Sequence, residues 1–267
     1  MIFFETVTPL VLGIVVVCGG LNVQADAMGS GTQENTIVKT FLDNGFDVML
    51  AVLSGQTKDA GAMKSVTADV WINEASMAYN KASEIAAKKN VPLYFAGFSL
   101  GALVFPVNMI NMIDDAAQEK MFSKMILFAP AIATKNIACA IKIAGIFAKD
   151  DKIIKSKSPI AYRANDGTSI GAYKALFELK KQFKKKPPLN IDTLVFIDKK
   201  DEVISNVQLK KIIKKYSLSN WKLVTIHSEP QSDIRPKFYH LIIDANCVGT
   251  ETWKTITSTI SAFLNES

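Results

Sequence analysis

The stretch YFAGFSLGALV, residues 94–104, decides the fold, because its apolar run is interrupted by a serine with a glycine two places before it and two places after. The residues before Ser99 are typical of a buried strand, and those after it are typical of the first turn of a helix. A strand that passes into a helix at one serine needs a tight turn, in which side chains at positions 97 and 101 would collide; both are glycine. The turn predicts a hydroxyl beside a helix N-terminus, which suits a nucleophile, although a chance Gly-Ser turn has the same letters.

Apolar runs that favour strands alternate with segments of helical periodicity along the chain. Strands are predicted at 11–18, 46–53, 91–98, 124–132, 192–198 and 221–227, with a short edge strand within 1–8. Helices are predicted at 33–44, 68–88, from 100 onward, near 169–184, from 205 onward, and around 253–263. This order predicts fold class α/β, with a doubly wound, mainly parallel β-sheet. Binding sites in such sheets lie beyond the carboxyl ends of the strands.

A serine hydroxyl needs a general base, and the chain has only two histidines, His227 and His240. His240 lies in the loop between the last predicted strand and the last helix. A loop beyond the carboxyl end of a strand can carry its side chain over Ser99. His227 lies at the end of the strand itself. We therefore predict His240 as the base, and keep His227 as the alternative.

The base needs an orienting acid, and the segment LVFIDKKDEVIS, residues 194–205, offers three at the end of the fifth strand. Asp198 is closest to the sheet, whereas Asp201 lies in the loop beyond it, next to Glu202. We predict Asp201 as the acid, with Asp198 as the alternative. If the segment has no catalytic role, it is a solvated loop of lysines and acids. The order serine, acid, histidine is that of the enzymes whose serine lies on a strand-to-helix turn.

Several segments together resemble the α/β-hydrolase superfamily, and most closely its monoacylglycerol-lipase-like and serine-aminopeptidase-like carboxylic ester hydrolases. The resemblance covers nearly the whole chain. It is carried by GIVVVCGGLN (13–22), GFSLG (97–101), ILFAPA (126–131), IDKKDEVIS (197–205) and YHLIID (239–244). It implies hydrolysis of carboxylic esters through an acyl-enzyme on Ser99. It leaves open an acyltransferase or thioesterase with the same triad, and a binding module without catalysis.

The resemblance also implies an oxyanion hole, made of two backbone N–H groups. One is the amide that follows the nucleophile, Leu100. In this family the strand that precedes the first loop normally ends in His-Gly, and the next residue supplies the other donor. This chain has Cys18-Gly19-Gly20-Leu21 there. The first donor is therefore either Gly20 or Leu21, depending on the alignment.

Residues 133–186 contain no clear strand, which predicts a helical cap inserted into an α/β-hydrolase core of residues 1–132 and 187–267. The apolar residues of its first part favour a small-molecule ester substrate with an apolar acyl group. They are Ile137, Ile141, Ile143, Ile146 and Phe147. Ordinary crossover helices with a long loop are the alternative. Peptide, thioester and small aromatic ester substrates stay open.

The net charge of +6 comes almost wholly from lysine, since the chain has only two arginines. This argues against a nucleic-acid partner. Transient contact with an anionic membrane surface is one interpretation of the lysine clusters, and solvated helix faces are the favoured one. Three widely spaced cysteines and two histidines predict no metal site, and no cofactor is implied. The oligomeric state is not indicated.

The apolar run within residues 10–18 is interpreted as a buried strand, so a cytoplasmic protein is expected. A secretory signal peptide that ends near VQADA, residues 23–27, is the alternative. No basic residue precedes the apolar run, and Glu5 and Pro9 interrupt its start, which disfavours that alternative.

Overall fold

The computed structural model describes residues 1–112, 122–135, 149–186, 188–229 and 238–266. Nine strands lie in this part of the chain. They are β1 (Ile2–Phe4), β2 (Gly13–Cys18), β3 (Phe46–Ala51), β4 (Leu93–Phe98), β5 (Met125–Phe128), β6 (Ile153–Lys155), β7 (Gly167–Ser169), β8 (Thr193–Asp198) and β9 (Trp221–Ile226). Seven of them form one sheet in the order β1-β3-β2-β4-β5-β8-β9. Only β1 runs antiparallel to its neighbour in that sheet.

Helices flank this sheet in the described residues. They are α1 (Ile37–Asp43), α2 (Ala60–Ser65), α3 (Ala68–Lys89), α4 (Gly101–Met112), α5 (Ile170–Lys185), α6 (Asn206–Lys215), α7 (Ala245–Val248) and α8 (Thr250–Asn265). Every residue of β2, β3, β4 and β8 is buried, which is expected where helices cover both faces of a parallel sheet. None of the described helices combines the length and the hydrophobicity that a membrane-spanning helix needs.

The sequence-based prediction of an α/β fold with a mainly parallel sheet is confirmed. The six long strands and the edge strand all appear, each within a few residues of its predicted bounds. Helix α1 begins later than predicted, because Thr36 caps it by accepting a hydrogen bond from the Lys39 amide at 3.3 Å. Helix α2 and the β6–β7 pair were not predicted, since segments of three to six residues carry little periodicity.

The segment 133–186 is described in part. Strands β6 and β7 form a small antiparallel pair within it, and α5 packs against α2, α3 and α4. Residues 136–148, which hold the apolar side chains expected to face a substrate, lie outside the described residues. The division into core and cap therefore stays a prediction.

Candidate active site

Ser99 lies at the sharp turn between β4 and α4, in the left-handed region of backbone space with a φ of 51°. That conformation is uncommon for a residue with a side chain, so the surroundings must hold it. The Ser99 amide donates to the Phe128 carbonyl oxygen at 2.9 Å, and the Ser99 carbonyl oxygen accepts from the Ala131 amide at 2.9 Å. The end of β5 thus fixes the backbone of the turn.

The two glycines of the turn are required by its close approach to neighbouring backbone. A Cβ atom on Gly101 would lie 2.5 Å from the carbonyl oxygen of Cys18, and one on Gly97 would lie 2.8 Å from the amide nitrogen of Ala102. Both contacts involve backbone atoms, which cannot move aside as a flexible side chain could. Both positions therefore need glycine, as the sequence indicated, but the obstacles are Ala102 in the turn and Cys18 at the end of β2.

Three predicted site residues meet at the carboxyl ends of the parallel strands. Ser99 Oγ lies 2.9 Å from His240 Nε2, and His240 Nδ1 lies 2.9 Å from Asp201 Oδ2. All three residues are buried: Ser99 is 8% exposed, His240 is 6% exposed and Asp201 is 1% exposed. With the ring proton on Nδ1, the imidazole donates to the carboxylate and Nε2 accepts from the serine hydroxyl. This arrangement can remove a proton from the hydroxyl.

Asp201 is held by its own loop in the orientation that faces the imidazole. Its Oδ1 accepts hydrogen bonds from the Val203 and Ile204 amides, both at 2.7 Å, which leaves Oδ2 for His240. The Lys135 ammonium also contacts the Asp201 carbonyl oxygen. The carboxylate is therefore fixed by its own loop before it meets the imidazole.

Glu202, the neighbour of Asp201, holds the backbone of the histidine loop. Its two carboxylate oxygens accept from the Tyr239 amide and from the His240 amide, each at 3.0 Å. The imidazole also packs against the Phe98 ring, with 5.1 Å between the ring centroids. Two adjacent acids therefore hold the same histidine: Asp201 contacts its imidazole and Glu202 contacts its main chain. The sequence placed Glu202 near the site but gave no indication of this role.

The two alternative residues lie apart from this constellation. Asp198 accepts hydrogen bonds from the Lys200 and Ser228 amides, each at 2.6 Å, and so joins the end of β8 to the end of β9. His227 is exposed, and its carbonyl oxygen accepts from the Thr252 hydroxyl at 3.0 Å. Neither side chain has a hydrogen bond to Ser99 or His240 among the described residues.

The predicted oxyanion donors border the serine turn. A Cβ atom on Gly20 would lie 3.2 Å from Ser99 Cβ, so the loop after β2 runs directly beside the nucleophile. The amides of Gly20, Leu21 and Leu100 make no hydrogen bond to another described residue. Free backbone donors beside a buried hydroxyl are what an oxyanion needs. The geometry leaves both Gly20 and Leu21 as candidates for the first donor.

A separate cavity of about 560 Å³ lies between Gln24 and the segment that follows β6. The residues that line it include Lys58, Met63, Ile160 and Arg163, and none of them is a predicted site residue. In the described part of the chain, no group of three or more His, Cys, Asp or Glu side chains could hold a metal ion.

Comparisons with known proteins identify the fold. No protein-family model matches the chain, and no curated protein matches it. Among solved structures, a metagenome-derived lipolytic enzyme is 15% identical over 100% of this chain and 97% of its own, with a TM-score of 0.73. A soluble variant of monoglyceride lipase from Saccharomyces cerevisiae, in complex with a substrate analogue, is 12% identical over 98% of this chain and 90% of its own, with a TM-score of 0.74. Est1E from Butyrivibrio proteoclasticus, with ferulic acid bound, is 17% identical over 98% of this chain and 92% of its own, with a TM-score of 0.63. The chain therefore has the α/β-hydrolase fold.

Proposed function

We propose that this protein is a carboxylic ester hydrolase that forms an acyl-enzyme on Ser99. The observation that carries the proposal is the unbroken hydrogen-bond chain from the Ser99 hydroxyl through the His240 imidazole to the Asp201 carboxylate, with both distances at 2.9 Å. Three such groups in contact are the arrangement that activates a hydroxyl for acyl transfer. The lipolytic enzymes and esterases among the structural neighbours support the same reaction class at the level of the fold.

In the first half-reaction, Ser99 Oγ attacks the carbonyl carbon of the ester while His240 Nε2 takes the hydroxyl proton. The Asp201 carboxylate stabilises the imidazolium and keeps its Nδ1 proton in place. The tetrahedral intermediate then breaks its bond to the alcohol oxygen. His240 returns the proton to that oxygen, so the alcohol leaves neutral and the acyl group stays on the serine.

In the second half-reaction, water takes the place of the alcohol. His240 removes a proton from the water as its oxygen attacks the acyl carbon, and then gives the proton back to Ser99 Oγ. The products are a carboxylic acid and the free serine. Each half-reaction passes through an oxyanion beside the Leu100 amide and the amide of Gly20 or Leu21. Loss of one such donor costs about 3 kcal/mol of barrier.

A small-molecule ester with an apolar acyl group is the proposed substrate class. It is supported by the apolar residues of the segment 133–186 and by the monoglyceride lipase and lipolytic enzyme among the structural neighbours. We expect kcat/KM for p-nitrophenyl esters to rise from acetate to longer acyl chains, because an apolar pocket gains about 0.8 kcal/mol for each buried methylene. A maximum at acetate would contradict the apolar substrate class and leave the ester hydrolase proposal in place.

Covalent labelling tests the proposed nucleophile. A fluorophosphonate probe reacts with a serine only when a base activates it, so we expect a single label at Ser99, located by peptide mass spectrometry. Ser99→Ala and His240→Ala are expected to abolish labelling. His227→Ala is the matched control, because that histidine is exposed and its side chain has no hydrogen bond to Ser99 or His240 among the described residues. This variant should be labelled at the wild-type rate.

Either of two results would contradict the proposal. One is a folded wild-type protein that takes no label. The other is a His240→Ala variant that is labelled as fast as the wild type. Both would favour the binding-module hypothesis over an enzyme.

A further inference from the structure

Gln56 makes hydrogen bonds directly to the loop that carries the first proposed oxyanion donor. It lies in the turn after β3 and is 2% exposed. Its side-chain nitrogen Nε2 donates to the Gly19 carbonyl oxygen at 2.8 Å and to the Gly20 carbonyl oxygen at 3.0 Å. Both protons of one buried amide are therefore used on two successive peptide groups.

The rest of Gln56 is also tied down. Its Oε1 accepts from the Leu53 amide at 2.9 Å, and its own amide donates to the Leu53 carbonyl oxygen at 3.0 Å. Its carbonyl oxygen accepts from the Ala25 amide at 3.1 Å, on the far side of the loop. Since all the polar groups of this residue are paired, the side-chain amide has one orientation and can act as a fixed support.

Peptide geometry connects these contacts to the oxyanion donors. The carbonyl of Gly20 and the N–H of Leu21 belong to one planar trans peptide group, so they point in opposite directions. Holding the Gly20 oxygen therefore sets the direction of the Leu21 N–H. In the same way, holding the Gly19 oxygen sets the direction of the Gly20 N–H. Gln56 thus controls both candidate donors.

The loop needs such control because Gly19 and Gly20 are adjacent glycines. Glycine has access to backbone conformations that other residues lack, so a peptide group between two glycines rotates easily. Two other bonds restrain the loop: the Gly101 amide donates to Gly19 O at 3.0 Å, and the Val23 amide donates to Gly20 O at 3.2 Å. Removal of Gln56 should therefore loosen the loop without releasing it altogether.

We propose that Gln56 is a positioning residue for the oxyanion hole, which it orients through the carbonyl oxygens of Gly19 and Gly20. The proposal rests on the proposed ester hydrolase function, because the amides matter only if an oxyanion forms. Gln56 touches no reacting atom. Its contribution is realised in the transition state, so its loss should lower kcat and leave KM largely unchanged.

Two substitutions separate orientation from folding. Gln56→Met keeps the size of the side chain and removes its polar contacts, whereas Gln56→Glu keeps an acceptor for the Leu53 amide. Gln24→Met is the matched control, because Gln24 lies in the same loop but donates to the Ala161 carbonyl oxygen at 2.6 Å. A misplaced donor costs about a hundredfold in rate, so we expect kcat and the fluorophosphonate labelling rate of Gln56→Met to fall about that far. Gln24→Met should stay within about twofold of the wild type.

The Gln56→Glu variant adds a readout that a purely structural role would not give. The new buried carboxylate faces two carbonyl oxygens and has no proton to donate. Burial and those oxygens raise its pKa, and once protonated it donates one hydrogen bond to the loop. The ratio of its labelling rate to the wild-type rate should therefore rise as the pH falls. Taking the ratio at each pH removes any pH dependence that both proteins share.

The outcomes separate the two proposals. If the wild type takes no label at Ser99, the enzyme proposal fails. If the wild type is labelled but both Gln56 variants react at its rate, the positioning role is wrong and the enzyme proposal stands. Circular dichroism and urea unfolding give the folded fraction of each variant. A fall in rate that matches the loss of folded protein, with a ratio independent of pH, also overturns the positioning role.

Discussion

Ser99→Ala and His240→Ala are each expected to lower kcat for a p-nitrophenyl ester by about a million-fold, and the double variant by no more than either alone. The reason is that the hydroxyl and the imidazole act as one unit. An alcohol that keeps its proton is a poor nucleophile, and a base without the serine has no enzyme hydroxyl to activate. Steady-state kinetics on the wild type, the two single variants and the double variant measure this non-additivity.

The His227→Ala variant controls for the general effect of losing an imidazole, and its kcat should match the wild type. The variants at the site should keep a residual rate above that of water alone, because the backbone donors beside Ser99 remain. Effects that multiply, so that the double variant falls by the product of the single losses, would contradict a shared mechanism. They would show two residues that act independently.

The serine turn was predictable because the residues that mark it are local. Gly97 and Gly101 lie within two residues of Ser99. The backbone atom that Gly97 avoids belongs to Ala102 in the turn itself, whereas the one that Gly101 avoids belongs to Cys18 at the end of β2. The meeting of Ser99 with His240 and Asp201 was predictable for a different reason. Parallel strands bring their carboxyl ends to one edge of the sheet, so residues 141 positions apart in sequence can be expected there together.

The residues that hold the site were not predictable in the same way. Gln56 and Glu202 bind backbone groups of segments far away in sequence, through the carbonyl oxygens of Gly19 and Gly20 and the amides of Tyr239 and His240. Backbone groups are present at every residue, so nothing in the letters marks which of them will need a partner. The hydrogen bonds of a buried polar side chain show which backbone groups it supports, and burial is a property of the folded chain.

The choice between Asp201 and Asp198 shows the same limit, since both are acids at the end of one strand. The sequence favoured Asp201 because it lies further into the loop. In the structure the two carboxylates are equally buried, at 1% exposure each, and they differ only in what they bind. Asp201 reaches the imidazole, whereas Asp198 joins two strand ends through backbone amides. This makes them a matched pair for experiment.

Asp201→Asn is expected to lower kcat by about ten-thousand-fold and to change KM little. The new side-chain amide can keep its oxygen on the Val203 and Ile204 amides, which turns its NH2 group towards His240 Nδ1. A donor there forces the ring proton onto Nε2, so the imidazole can no longer accept the proton of Ser99. The geometry is kept and the base is lost. Steady-state kinetics and fluorophosphonate labelling both measure the effect.

Asp198→Asn is the control, because it makes the same chemical change at equal burial. One oxygen of Asp198 would become a donor that faces the amide of Lys200 or Ser228, and an unpaired buried amide costs about 1–3 kcal/mol of unfolding free energy. Urea unfolding should therefore show a lower free energy of unfolding for this variant, while its kcat stays within a few-fold of the wild type. If both variants lost only stability, Asp201 would be a structural acid like Asp198. The imidazole would then be oriented by its loop alone, through the Glu202 carboxylate that binds its backbone amide.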